Sequence, residues 1–334
     1  MGLDKAQKKA PKISVIIPIY NVEKYIEQCV RSLLEQTMDD VEFIFIDDCT
    51  PDSSMTILKE VLKQYPNRND NVVICKNIKN SGQSKTRRKG IEMAQGDYVI
   101  HCDSDDWVEK DWLESLYRMA ISNNADIVWS GFDSIHTDGT RQYFPNKALN
   151  NIEDFLIKLE IGKKWGSLCL HLVKRQIVQS EKIVWPDWNY CEDLALIFQY
   201  AALSNRVSYI NRSLYKYRHN LESITSQRNR DGIIRNVDGE IMASLQGMET
   251  CRSLGLSREH LSNLRSRIFI AKTRLMMAAK DNNDFCRLWH KCRDGLRLSD
   301  IWNSSLALRD KLFNSLIYFN LYPLIKSIRR PNGK

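Results

Sequence analysis

From Ile13 onward the chain alternates short apolar runs with stretches whose apolar residues recur at helical spacing. ISVIIPIY opens the series, EKYIEQCVRSLLEQ follows with Tyr25, Ile26, Cys29, Val30, Leu33 and Leu34 on one helical face, and VEFIFI comes next. The alternation continues through a helix over about 54–65, the run NVVIC, a helix over about 85–94, YVIHC, a helix over about 111–121, and ADIVWSGF. This β-α-β series predicts an α/β fold with a mostly parallel, Rossmann-like sheet. Parallel neighbours need crossover helices, and uninterrupted apolar strands need both faces covered.

The pattern weakens over 139–188, leaving a helix over 153–160 and an apolar stretch over 168–178. WPDWNYCEDLALIFQYAAL reads as a loop entering a helix, with Glu192 and Asp193 in the first turn, where negative charge complements the helix dipole. RVSYI and SLYKYR, separated by Asn211 and Arg212, predict a hairpin. Beyond 226 the chain is helical, with long periodic segments near 231–253 and 257–280 and shorter ones after 283. The expected organisation is a tail over 1–11, an α/β domain over 12–226 and a C-terminal helical appendage over 227–334, with no internal repeat.

Polar residues gather where the first strands end. Pro18, Tyr20 and Asn21 close the first run, Asp47 and Asp48 follow the second, Lys76 and Asn77 the third, and Asp103, Asp105 and Asp106 the fourth. In open parallel sheets ligands bind beyond these carboxyl ends. Three carboxylates within HCDSDDW repel one another unless a cation or hydrogen-bonding ligand sits among them. Oxygen ligands suit Mn²⁺ or Mg²⁺, which keep positions open for water and phosphate. The same acids can also cap the helix that follows.

The chain has 334 residues, is 43% hydrophobic and 27% charged, and carries a formal net charge of +8, enough for one large domain and an appendage. That charge fits an anionic nucleotide or membrane surface; with no binding motif and no concentrated basic element, it does not point to nucleic acid. The 9 cysteines are odd in number and lack paired spacing, which predicts a reducing compartment. No apolar core precedes Ile13 and no window reaches the roughly 18 apolar residues of a membrane span, so a cytoplasmic protein is expected. MGLDKA carries Ala6 where myristoylation wants Ser or Thr. Cys286, His290 and Cys292 lack a fourth zinc ligand. The tail RDKLFNSLIYFNLYPLIKSIRRPNGK combines an apolar band with Lys326, Arg329 and Arg330; it can rest peripherally on the inner membrane surface or pack against the helical region.

In order, SVIIPIYN, IDDCTPDSS, NSGQSKTRRKG, QGDYVIHCDSDDW and CEDLALI resemble the motifs of family 2 of the inverting nucleotide-sugar glycosyltransferases of bacterial surface-polysaccharide type, which have the GT-A fold. The likeness covers about 12–225 and implies a nucleotide-binding half over about 12–132 and an acceptor half over about 133–226. It implies that Pro18 and Tyr20 pack on the nucleobase and that Asp47 or Asp48 binds base or ribose. Gly82 and Arg87 hold family positions in the donor site; Arg88 replaces the usual Asn, and Cys49-Thr50-Pro51-Asp52 replaces Gly-Ser-x-Asp. Asp103 and Asp105 form the Asp-x-Asp motif, with Asp105 chiefly on the metal, Asp103 on ribose or metal, and Asp106 following. The likeness further implies that His219, with Arg218 as the alternative, reaches the diphosphate, and it counts His219 with these acids as a metal ligand. Asp193 is implied as the general base, with Glu192 binding acceptor or holding position; Trp165, Trp185 and Trp188 line the acceptor region.

The function implied is transfer of a sugar from a nucleotide donor, UDP-linked by expectation, to a glycan or lipid-linked acceptor. A sugar nucleotidyltransferase would want a glycine-rich loop after the first strand, which SVIIPIYN lacks. A binding protein that keeps the fold without catalysis is the other alternative.

Overall fold

The computed structural model describes residues 10–145, 149, 151–163, 166–219, 229–292 and 296–323. Contacts divide the chain into two compact units. The first comprises Met1–Ile152, Ser167–Asn189 and Leu203–Asn220, and the second Glu153–Gly166, Tyr190–Ala202 and Leu221–Lys334.

The first unit is built on one mixed sheet. Its strands are β1 (Ile13–Ile19), β2 (Val41–Asp47), β3 (Val72–Lys76), β4 (Tyr98–His101), β5 (Trp107–Val108), β6 (Ile127–Ile135), β7 (Arg141–Phe144), β8 (His171–Lys174) and β9 (Val207–Arg218). They lie in the order β3-β2-β1-β4-β8-β6-β9-β5, with β7 on β6. The four strands from β3 to β4 are parallel, as the sequence predicts. Past β4 the sheet turns mixed: β8 pairs antiparallel with both β4 and β6.

Helices α1 (Ile26–Leu34), α2 (Ser54–Leu62), α3 (Gln83–Met93) and α4 (Trp112–Ser122) are the crossovers. All seven residues of β1 are buried, which is why its sequence is apolar apart from Ser14, whose hydroxyl donates to Glu42 Oε1. On α1 the stripe Ile26, Cys29, Val30, Leu33 and Leu34 is buried, as its spacing requires. Helix α3 lies close on the sheet because of Gly90: a Cβ there would come within 2.4 Å of Ile16 Cγ2 and 2.7 Å of Ile46 Cδ1.

Two sequence expectations are corrected. NVVIC is an edge strand with Val73 and Ile74 exposed, since nothing pairs beyond β3. The expected hairpin over 206–218 is the single strand β9, parallel to β6, with a register shift that leaves Asn211 and Arg212 outside the ladder. The intervening Asn-Arg makes a bulge instead of a turn.

The second unit is helical: α5 (Ile152–Glu160) lies almost wholly in it, with α7 (Glu192–Ala202), α8 (Arg230–Leu254), α9 (Arg258–Thr273), α10 (Asn282–Lys291), α11 (Leu298–Trp302) and α12 (Leu308–Tyr318). The short α6 (Arg175–Val178) belongs to the first unit. Thus the second unit does not begin at a single cut near 227; α5 and α7 belong to it. The Asn229 side chain caps α8 by accepting from Gly232 N at 2.8 Å, and Gly255 ends it at φ +67°. No described helix is long and apolar enough to cross a membrane. Trp165, Ser223, Thr225, Lys326, Arg329 and Arg330 lie outside the described residues.

Candidate active site

The carboxyl ends of β2, β1 and β4 bring together residues separated by dozens of positions in the sequence. Ile19 is in register with Asp47, Asp47 with Lys76, and Ile16 with His101, two residues before Asp103. Pro18 is buried in β1, and Tyr20 just beyond it is 47% exposed, leaving its ring open to a ligand.

Asp47 and Asp48 are both buried and do different work. Asp47 accepts from Thr50 N at 2.8 Å and pairs with Lys76 at 3.3 Å. Asp48 accepts from Asn77 Nδ2 at 2.7 Å, Ser81 N at 2.8 Å and Gly82 N at 2.9 Å. It therefore ties the loop after β3 to the loop after β2. Between them Cys49, at φ 56°, takes a left-handed conformation that non-glycine residues adopt at a cost. Gly82, at φ +81°, opens α3, and a Cβ there would lie 2.4 Å from Asn189 Nδ2. Ser84 reinforces that seam, donating through Oγ to Pro186 O at 2.6 Å and through N to Asn189 Oδ1 at 3.2 Å.

Arg87 points inward from α3, 2% exposed, and donates through Nη2 to Asp103 Oδ1 at 2.7 Å. A charge-assisted bond from a buried guanidinium fixes one end of the acidic loop. Asp103 stays partly open at 23% side-chain exposure. Asp105 is half-buried, and its carbonyl accepts from Arg218 Nε at 2.8 Å.

Asp106 differs from both. It is 1% exposed, accepting from Tyr215 Oη at 2.8 Å and from Arg218 N at 2.7 Å. Burial holds its carboxyl well above the usual carboxylate range, and the charges of Asp105 and Asp103 push the same way. The three acids thus divide: two face outward, one anchors the loop to β9. Arg218 completes the anchor, its guanidinium 4.5 Å from the Trp107 ring centre, 5.0 Å from that of Tyr25, and 2.5 Å from Gln28 Oε1. His219 follows; its ring stacks on His136 at 4.1 Å and its N donates to Ile135 O at 2.8 Å.

Among the described residues no group of three or more His, Cys, Asp and Glu is placed to hold a metal ion. What the loop offers is the oxygen pair Asp103 and Asp105. One or two carboxylates, with the rest of the shell from phosphate and water, is the usual provision for Mg²⁺, so the donor set fits.

Glu192 and Asp193 stand in the first turn of α7, in the second unit. Glu192 is buried and Asp193 half-buried. The preceding Cys191 has φ 56°, and burial, with the charges of Glu240 and Glu192, pushes its thiol up to about 12. Tyr190 is held by α8, where a Cβ on Gly239 would come within 2.6 Å of Tyr190 O, and Arg235 lies 5.8 Å from its ring centre.

Residues 14–177 match the model of glycosyl transferase family 2. That stretch of the chain is a family 2 glycosyltransferase domain. It is 30% identical over 227 residues to the putative glycosyltransferase EpsH of Bacillus subtilis, covering 66% of this chain and 64% of EpsH. It is 31% identical over 179 residues to the poly(ribitol-phosphate) beta-glucosyltransferase of Bacillus spizizenii, covering 52% of this chain and 27% of that enzyme. The chain therefore spans less than two thirds of either relative. Its fold is similar to that of S. aureus TarS 1-349 in complex with UDP-GlcNAc, with a TM-score of 0.69, 17% identity, and coverage of 95% of this chain and 91% of that one. This GT-A likeness agrees with the α/β class expected from the alternating pattern.

Nothing in the sequence marks Tyr215, Asn77 and Asn189 as site residues, although each organises the candidate site. In the sequence Asn77 is only a strand-end residue; that its amide joins Asp48 to Thr86 Oγ1, at 2.7 and 2.9 Å, depends on the fold.

Proposed function

We propose that the chain transfers a sugar from a nucleotide-diphosphate donor, UDP-linked by preference, to a hydroxyl of a glycan or lipid-linked acceptor in cell-surface polysaccharide synthesis, with inversion at the anomeric carbon. The observation that carries this reading is the convergence of Asp47, Asp48, Arg87, Asp103 and Asp105 beyond adjacent parallel strands. The family match and the UDP-GlcNAc complex of TarS favour a nucleotide sugar as ligand.

In this reading Tyr20 offers its ring to the base, and Asp47 or Asp48 accepts from base or ribose. Asp103, oriented by Arg87, and Asp105 would hold Mn²⁺ or Mg²⁺, which would supply charge neutralisation for a departing nucleotide. Asp106 positions the loop that carries them. Asp193 removes the proton of the attacking hydroxyl, and Glu192 holds position beside it. A single displacement with one base inverts the anomeric centre, because no enzyme carboxylate forms a covalent intermediate. His219 is assigned to the diphosphate. Peripheral contact with the inner membrane surface is proposed for the C-terminal tail.

The test is donor hydrolysis by the purified chain across UDP-, GDP- and dTDP-sugars, with and without Mn²⁺. Asp193→Asn is expected to lose turnover by about 10²-fold or more while nucleotide binding persists. A wild-type chain that neither binds nor hydrolyses any of these donors would defeat the proposal.

A further inference from the structure

Away from the carboxyl ends of β1, β2 and β4, the first unit has a shallow groove of about 430 Å³ between β5, β7 and the bulge of β9. Its walls carry two carboxylates, Glu109 and Asp111, two guanidiniums, Arg141 and Arg212, and the exposed Tyr143 and Asn211. Three observations indicate a built surface.

First, the bulge creates it. The ladder of β9 on β6 runs from Ser130↔Ile210 to Gly131↔Ser213, so Asn211 and Arg212 leave the sheet opposite Gly131. A Cβ on Gly131 would meet Phe144 O at 3.0 Å, and Arg212 O and Tyr143 Cε2 at 3.2 Å, so glycine lets the three segments close up.

Second, the charges are held in place from beneath. Asp133, fully buried, binds Arg141 at 2.5 Å and Lys216 at 2.6 Å through Oδ2; Lys216 pairs in turn with Glu109 at 2.7 Å. Asp133 Oδ1 has no hydrogen-bond partner among the described residues. Burying a carboxylate under a solvent-facing arginine is costly for surface decoration and reasonable for preorganising a binding group. Arg212 pairs with Asp111 along the groove wall itself, where both remain partly exposed.

Third, the charge balances. Two acids and two bases line the groove, with Asp133 and Lys216 balancing behind them. A phosphate would want surplus positive charge and a cation surplus negative charge. What suits a neutral mixture of fixed acceptors and donors beside an open phenol ring is a ligand whose groups both donate and accept. Sugar hydroxyls do this, and an aromatic face covers the apolar side of a sugar ring.

We propose that this groove binds a neutral oligosaccharide, about two sugar units long by its volume, outside the donor site. Its use as a hold for the growing acceptor rests on the transferase reading; glycan binding itself does not.

The experiment titrates the full chain with maltotriose, cellotriose and chitotriose, and separately with inorganic phosphate, following binding by saturation-transfer NMR and calorimetry. At least one trisaccharide should bind. Tyr143→Ala and Asn211→Ala, both at exposed positions, should each raise its Kd about five- to tenfold, leaving UDP-sugar binding and hydrolysis unchanged. Trisaccharide binding that neither variant weakens, no binding of any trisaccharide, or a response to phosphate alone overturns the assignment. Variant-sensitive trisaccharide binding in a wild-type chain without donor hydrolysis supports the groove and instead removes the transferase reading.

Discussion

Arg87 and Asp103 form a lopsided pair: the guanidinium on α3 is 2% exposed, while the carboxylate it holds at 2.7 Å is 23% exposed. The buried partner has given up solvation, so the bond matters more to Arg87 than to Asp103. The outer acid keeps access to water and to a ligand.

Arg87→Met should therefore cost less than breaking a fully buried pair, about 2 to 3 kcal/mol, because water resolvates Asp103. Under the proposed function it also raises the KM for donor, since Asp103 loses its orientation. Thermal melting and donor titration of the same preparation check both parts.

Asp105 and Asp106 are neighbours with opposite expected phenotypes. Asp106→Ala strips the acceptors from the buried Tyr215 Oη and the half-buried Arg218 N, and should cost roughly 1 to 3 kcal/mol. Under the proposed function, Asp105→Asn should remove the metal dependence of donor hydrolysis at a smaller cost in melting temperature, because the Asp105 side chain is only half-buried. Melting curves beside Mn²⁺ titrations of activity distinguish them; equal destabilisation by both would contradict the division of labour among the acids.

Gly82 is constrained twice, by its φ of +81° and by the Asn189 side chain. Gly82→Ala should lose about 1 to 3 kcal/mol from the backbone alone, with the clash added. Combining it with Asn189→Ala should recover only the clash. Full recovery in the double variant, measured by chemical denaturation, would show that the backbone conformation carries no cost.

In the second unit His260 Nδ1 lies 2.5 Å from Glu160 Oε1, and Nε2 lies 3.1 Å from Glu153 Oε1. The hydrogen bond that the imidazole donates to Glu160 raises it above its ordinary 6.5, against burial. Burial raises Glu160 above its ordinary 4.5, against His260 and Asn263. Both groups hold protons more tightly when folded. The His260 contribution is complete below pH 6.5 and fades as pH climbs through the raised value; that of Glu160 is complete below 4.5 and fades likewise. The melting-temperature gap between wild type and His260→Gln should accordingly be wider at pH 6 than at pH 8.5.

Much of the first unit is legible in the chain because its signals are local. Apolar runs and helical periods name β1 to β4 and their crossovers, and acids placed after those runs fall at carboxyl ends once the strands are parallel. Other features need partners from afar. Whether Asp105 or Asp106 turns inward depends on Tyr215 and Arg218, more than a hundred residues on. Asn211 and Arg212 look like a turn, yet β9 finds β6 on one side and β5 on the other, so continued pairing outweighs reversal.

The sequence alone thus determined the alternation of strands and helices and the chemical kinds of group available at strand ends, since both follow from spacing along a single segment. Tertiary structure decided which of those groups lose water, which remain open to a ligand, and that Glu192 and Asp193 travel with the helical unit. Desolvation and long-range pairing are properties of what surrounds a residue, and its neighbours in the chain do not specify them.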